Sequence, residues 1–254
     1  MSDHIHLERI RPETARLFSV LSSFAQLEDL TLIGGTALAL IIGHRLSNDL
    51  DFACFGDRLP TDAIESLIAE LKAGGLRVQL ITDPEQISNF KIRTGKRLLS
   101  IARDYMVGDT KVTFFAMGAK QSPNFMGYLS NAPTLDLPDT SFKVLSLDPL
   151  KVTKAVVIGQ RVKSRDLYDL FILSQKHDYS VSQLLQDAVA YGSNDDPEYY
   201  KAVLRGDIPL DQDDEGLEPV EVKATLEDIY RYFDTEISAL EIEEAARIAR
   251  ALDE

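Results

Sequence analysis

The chain has 254 residues, of which 44% are hydrophobic and 27% charged, the composition of one large or two small globular domains with a sizeable core. Its formal net charge of −14 excludes a general nucleic-acid binder, because neutralising phosphates requires clustered lysines and arginines. The single cysteine, Cys54, excludes an intramolecular disulfide, no run of about 18 apolar residues offers a membrane span, and the polar start MSDHIHLERIRPE is no secretory h-region, so a cytoplasmic protein is expected.

Pro12 suits the first turn of an amphipathic helix through ETARLFSVLSSFAQL, where Leu17, Val20, Leu21 and Phe24 recur at spacings of three and four. LTLIGG reads as a short strand ending on glycines, and TALALIIGH as a helix stopped by Gly43. NDLDFACF is a strand in which Leu50, Phe52 and Cys54 alternate with Asp49, Asp51 and Ala53. One face is apolar and the other carries two carboxylates. PTDAIESLIAELKAGG is a helix opened by Pro60 and Asp62 and closed at Gly74, leading into the alternating strand LRVQLI. RLLSIARDYM and TKVTFFAM form two strands joined at Gly108 and Asp109, which completes a small sheet mixed with helices.

Beyond Pro133 and Pro138 the pattern turns helical: LKVTKAVVI, then SRDLYDLFILSQ with Ser164 as its N-cap, then VSQLLQDAVAYG. DIPLDQDDEGLEPVE is a loop by composition, and ATLEDIYRYFDTEISALEIEEAARIARAL is one or two amphipathic helices with an acidic solvated face. The acidity is concentrated here: from Asp207 onward there are 16 Asp or Glu against 4 Lys or Arg, net −12, which leaves −2 for residues 1–206. The expected fold class is α+β, with a small mixed-sheet core over residues 1–145 and a mainly helical region over 146–254.

Residues i and i+2 of a strand point the same way, so Asp49 and Asp51 jointly grip a divalent metal at the sheet surface; two like charges so close are unfavourable without a cation between them. Upstream, a strand followed by Gly34, Gly35 and then Thr36 at a helix start presents unobstructed backbone, free N–H groups and a positive helix end to phosphates. These are the parts that phosphoryl transfer needs. Singly, each has an ordinary reading, a solvated strand face or a turn. The restrictive feature is their order, with Asp49 coming 14 residues after Gly35 across one short helix.

The run GGTALALIIGHRLSNDLDF, residues 34–52, resembles the signature of the AbiEii/AbiGii-type nucleotidyltransferases, toxins of type IV toxin-antitoxin systems with MenT-like relatives in the DNA polymerase beta-like superfamily. The matching positions are Gly34, Gly35, Thr36, His44, Arg45, Ser47, Asp49 and Asp51. A second stretch, KAVVIGQRVKSRDLYDL over residues 154–170, is similar to that family's downstream motif. The resemblance covers roughly residues 15–175 and implies a nucleotidyltransferase core that uses an NTP with Mg2+ or Mn2+. It implies metal binding at Asp49 and Asp51, and nucleotide binding by Gly34, Gly35, Thr36, Arg45, Ser47, Lys154 and Asp169. It further implies that Lys154 contacts the triphosphate or balances charge, and that Asp166 is another functional acid. Arg45 is read either as orienting the metal strand or as touching substrate, and Ser47 as a phosphate ligand, an acceptor for modification or a turn hydroxyl.

One departure matters. Related polymerase-like enzymes place a third carboxylate on a later strand, where this chain has Thr113, so Asp104 or Asp166 substitutes or acceptor activation is weak. The toxin resemblance points to tRNA as acceptor and to a cognate antitoxin as partner. Lys91, Arg93, Lys96, Arg97 and Arg103, with the basic residues of 151–165, form either an RNA-facing edge or a solvated hairpin. The alternatives are a small-molecule or protein hydroxyl as acceptor, or a weakly catalytic nucleotide-binding module.

Overall fold

The structure, a computed structural model, describes residues 5–119, 122–214 and 216–252; the first four residues of the polar N-terminal stretch and Glu215 of the acidic loop lie outside them. The chain divides into two compact units, Met1–Leu150 and Lys151–Glu254.

The first unit is built on a seven-stranded mixed sheet. Its strands are β1 (Thr31–Ile33), β2 (Leu50–Cys54), β3 (Val78–Leu80), β4 (Ala102–Val107), β5 (Thr110–Ala116), β6 (Thr134–Asp136) and β7 (Lys143–Leu145), in the order β3-β4-β5-β2-β1-β7-β6. β2 runs antiparallel to β1 and parallel to β5, and β1 runs parallel to β7. The expected β4–β5 hairpin turns at Gly108, whose φ of 61° is the left-handed conformation such a tight turn demands. The sheet reaches further than the sequence pattern suggests, because β6 and β7 are three-residue strands with too few positions to display an alternation.

Among the described residues, five α-helices accompany the sheet: α1 (Pro12–Leu21), α2 (Gly34–Ile42), α3 (Thr61–Ala73), α4 (Pro84–Thr94) and α5 (Pro123–Ser130). α1 buries Leu17, Phe18 and Leu21, whereas Val20 is 40% exposed; the helix stops at Leu21, so its apolar stripe is shorter than the sequence spacing implied. α2 is apolar nearly all round, and Gly43 ends it in the left-handed conformation at φ 67°. The core centres on Phe52, which stacks on Phe114 at 5.7 Å between ring centroids and meets Phe142 edge-on at 5.0 Å. All three rings are at most 1% exposed, and burial of each contributes about 1.5–3 kcal/mol.

The division between the units falls within α6 (Leu147–Val157). The second unit continues with α7 (Ser164–Lys176), α8 (Val181–Tyr191), α9 (Pro197–Arg205) and α10 (Leu226–Leu252). α10 is one helix of 27 residues; its buried positions, Ile229, Phe233 and Ile237, are spaced by four and lie in its first half. Arg205 on α9 reaches Asp234 at 2.9 Å and Glu241 at 3.0 Å on α10, and Lys201 also contacts Glu241 at 2.9 Å. Among the described residues, no helix is long and apolar enough to cross a membrane. The fold is α+β.

Candidate active site

In the first unit, Gly34, Gly35, Thr36, Arg45, Ser47, Asp49 and Asp51 are brought together where β1 turns into α2 and the chain returns as β2. Gly34 adopts φ +78°, and a Cβ there would lie 2.7 Å from Asp51 Oδ2. The missing side chain lets the Asp51 carboxylate sit against the first backbone unit of α2. Gly35 plays the same part for Arg45, whose guanidinium a methyl group on Gly35 would strike. Arg45 is 5% exposed, and its Nη1 donates to Leu46 O at 3.0 Å, so the residue props the loop from inside.

Thr36 is buried, and its hydroxyl meets Ser47 Oγ at 2.8 Å and donates to the carbonyl of Asp49. Both hydroxyls therefore hold the 44–49 loop onto α2. Ser47 N donates to Arg9 O at 3.0 Å and Thr14 Oγ1 donates to Asn48 O at 2.7 Å, which pins the same loop from the N-terminal side. The sequence reading missed this support, since no spacing rule ties residues 9–14 to 47–48. The result is a fixed approach for two half-buried carboxylates, Asp49 and Asp51, beside a helix start whose N-cap residue, Ile33, has no side-chain acceptor to offer.

A direct test follows from Gly34. Replacement by alanine forces a side chain into a left-handed backbone, a cost of about 1–2 kcal/mol, and drives Cβ into the Asp51 carboxylate. Gly34→Ala is expected to lower the thermal midpoint modestly and to impair metal-dependent nucleotide binding far more, read by titration on the folded variant. Binding at wild-type strength would show that the close approach is unimportant.

The sheet register places the other acid of interest. Asp51 pairs with Thr113 on β5, and Thr113 with Asp104 on β4, so the three lie in one row across adjacent strands and share a face. That face is half-open, while Val112 and Phe114 on β5 point into the core. Two strand spacings, about 9.5 Å of backbone, separate Asp104 from Asp51. Asp104 instead approaches Lys111 at 4.0 Å. Among the described residues, no group of three or more His, Cys, Asp or Glu is placed to hold a metal ion. Two carboxylates nonetheless suit magnesium, which commonly takes one or two from a protein and completes its shell with water and substrate phosphates.

The second unit gathers Lys154, Asp166 and Asp169. Lys154 Nζ lies 2.7 Å from Asp166 Oδ1 and 2.5 Å from Asp169 Oδ2, and Arg161 Nε lies 2.9 Å from Asp166 Oδ2. Lys154 is 3% exposed and both acids are fully buried. The two acids lie three apart on α7 and so face the same way, which is how one ammonium meets both. Burial opposes ionisation of Asp166, but Lys154 and Arg161 beside it prevail and hold its carboxyl below the usual carboxylate range.

Three residues of the acidic loop have a structural task there. Asp211 N donates to Val162 O at 2.9 Å, Asp213 pairs with Lys163 at 2.6 Å, and Asp214 Oδ1 accepts from Ser164 N at 3.0 Å. Ser164 is therefore the first helical residue of α7 rather than its N-cap. Asp214 caps the helix from 50 residues away, and local spacing cannot reveal a remote cap. Arg103 differs from its reading as part of a basic edge: it is 9% exposed and donates to Leu99 O at 2.7 Å and to Glu65 at 3.1 Å.

Comparison with known proteins accords with both motifs. The model of the family described as nucleotidyl transferase AbiEii toxin, type IV TA system, matches residues 16–250. An uncharacterised protein of Aquifex aeolicus (strain VF5), aq_aa25, is 28% identical over 182 residues, 70% of this chain and 73% of that one. Among solved structures, the nucleotidyltransferase toxin MenT4 of Mycobacterium tuberculosis H37Rv superposes with a TM-score of 0.51 at 15% identity, covering 88% of this chain and 84% of that chain. A candidate nucleotidyltransferase from H. pylori gives 0.48 at 18% identity, over 92% and 97%. The match across nearly the whole length, including the 34–52 and 154–170 motifs, places this chain in the AbiEii nucleotidyltransferase toxin family of type IV toxin-antitoxin systems.

Proposed function

We propose that the protein transfers NMP from an NTP to an acceptor hydroxyl, with tRNA as the acceptor, and that a cognate antitoxin restrains it in the cell. The observation that carries this reading is the convergence of the Gly34–Gly35 helix start with Asp49 and Asp51 on one pinned loop and strand. Asp49 and Asp51 are the residues that would hold Mg2+ or Mn2+, which when bound supplies Lewis-acid neutralisation of charge on the phosphate oxygens. The open N-terminus of α2 receives phosphate oxygens through its backbone N–H groups and positive dipole end.

The acceptor hydroxyl attacks the α-phosphorus in line, one new P–O bond forming as the bond to pyrophosphate breaks, and its proton passes to solvent or to a carboxylate acting as general base. Thr113 cannot accept that proton at neutral pH, so within the first unit the role falls to Asp104, which shares the face of Asp51. Arg45, Thr36 and Ser47 act by positioning, since each is buried and committed to the 44–49 loop. Lys154 carries the charge-balancing role of the downstream motif, with Asp166 and Asp169 fixing its ammonium.

The test is incubation of the purified protein with each labelled NTP, magnesium and total RNA, followed by separation of RNA from protein. Label in tRNA supports the whole reading. Label in protein or a small molecule moves the acceptor and keeps the chemistry. Binding of the nucleotide without release of pyrophosphate reduces the protein to a nucleotide-binding module.

A further inference from the structure

At the end of the sheet where β2 and β5 finish and β4 begins, the first unit has a cleft of about 630 Å³. Its lining includes Asp57 and Arg58 from the segment after β2, Gly95, Lys96 and Arg97 from the link between α4 and β4, and Gly118 after β5. Backbone hydrogen bonds fix the walls: Gly118 N donates to Gly56 O at 3.1 Å and Leu59 N to Ser100 O at 2.9 Å. Gly118 packs so closely that a Cβ there would lie 2.6 Å from Asp57 Oδ1. Asp57 is thereby held against Gly118, and Arg58, Lys96 and Arg97 line the same cleft.

The charge pattern sets this cleft apart in a chain of net −14. Residues 86–103 hold five Lys or Arg and no Asp or Glu. Arg103 is spent on Glu65, but Arg58, Lys91, Arg93, Lys96 and Arg97 are exposed and have no ion-pair partner among the described residues. In the second unit, by contrast, Lys154, Lys163, Lys201 and Arg205 are all engaged by carboxylates. α4 buries none of its residues, so its basic last turn contributes nothing to the core. Solvated cations kept unpaired around a rigid concavity create a local positive field that an acidic protein otherwise lacks.

We propose that this cleft binds the phosphodiester backbone of the RNA acceptor strand, Arg58, Lys96 and Arg97 each facing phosphate oxygens while Lys91 and Arg93 extend the track along α4. The assignment rests on the RNA-acceptor reading above. It explains how a strongly acidic protein holds a polyanion: the attraction is confined to one patch.

The test is binding of a fluorescently labelled tRNA, without NTP, as a function of salt. Lys96→Ala combined with Arg97→Ala is expected to weaken binding at least tenfold at low salt and to flatten the slope of log K against log salt by about 1.4–1.8. A control pair removes the same charge elsewhere on the unit, Lys72→Ala with Arg77→Ala, and is expected to leave the slope within error of wild type. Circular dichroism confirms that both variants fold, since all four side chains are exposed. If the two pairs weaken binding equally, or neither does, the cleft assignment is overturned while RNA binding by the wild type stands. If the wild type itself shows no salt-dependent tRNA binding, the RNA-acceptor reading and the cleft fall together, and the absent wild-type slope tells this outcome from the first.

Discussion

Replacement of Asp51 by asparagine is expected to lower nucleotide transfer by about a thousandfold or more, and Asp49→Asn to do the same, with neither change unfolding the protein. Metal-assisted charge neutralisation supplies several kcal/mol to a phosphoryl transfer, and at about 1.4 kcal/mol per tenfold, a loss of about 4 kcal/mol gives that factor. Asparagine keeps the size and most of the hydrogen bonding of aspartate but not the charge. Two neighbouring carboxylates repel each other when no cation lies between them, so the thermal midpoint should hold or rise in each variant. The measurement is labelled NMP incorporation alongside calorimetry of the same preparations. Incorporation near the wild-type rate in either variant would remove that residue from the metal site. No third acid stands in the register position beside Asp51, because Thr113 occupies it and Asp104 is a strand further on. Neither variant therefore has an adjacent carboxylate to compensate, and the loss should be steep.

β2, which carries Asp51, and its neighbour β5 were legible because both are long enough to alternate and have a buried face; Asp49 falls in the loop just before β2 rather than on the strand. The 34–52 motif was legible for a further reason: glycine is required wherever a backbone must pass a carboxylate or a guanidinium closely, and Gly34 and Gly35 do this toward Asp51 and Arg45. Other elements left no such trace. α4 has no buried residue and hence no apolar period, although Asp83, Pro84 and Gly95 mark its ends. α9 was equally silent at nine residues, even though Tyr200, Val203 and Leu204 are buried. The acidic segment was legible as a loop but its structural task was not, because its partners lie about 50 residues earlier, at Val162, Lys163 and Ser164. The cations of 151–165 looked like a free basic cluster for the same reason, and the structure shows Lys154, Arg161 and Lys163 neutralised. A sequence displays charge, whereas which charges cancel is decided by tertiary contacts. The basic residues 91–97 thus emerge as the more available set only once the partners are known.

The second large effect concerns Lys154, where stability and chemistry must be separated. Lys154→Met leaves Asp166 and Asp169 buried with Arg161 as the cation known to reach Asp166, and breaking a buried pair in this way costs about 3–5 kcal/mol. Adding Asp169→Leu removes one negative charge as well, so the double variant should regain most of that loss. Transfer activity then decides the role. If the folded double variant stays inactive while Asp169→Leu alone keeps activity, Lys154 takes part in the reaction; if activity returns with the fold, the lysine is a structural ion and the charge-balancing assignment is wrong. Acid titration gives an independent check. In the wild type the Asp166 carboxyl is held below its ordinary 3.8, so its stabilising contribution is complete above that value and is lost as pH falls through the lower folded-state one. The wild-type midpoint should therefore be insensitive to this group between about pH 7 and pH 5. Without Lys154, the burial that opposes ionisation of Asp166 loses its main counterweight, and this acid moves toward protonation. A group whose folded pKa is raised gains stability as pH falls, so the Lys154→Met midpoint should climb toward wild type over the same range. A deficit that stays constant with pH would mean that water or a rearranged Arg161 has taken the ammonium's place, and the buried triad would not be the source of the lost stability.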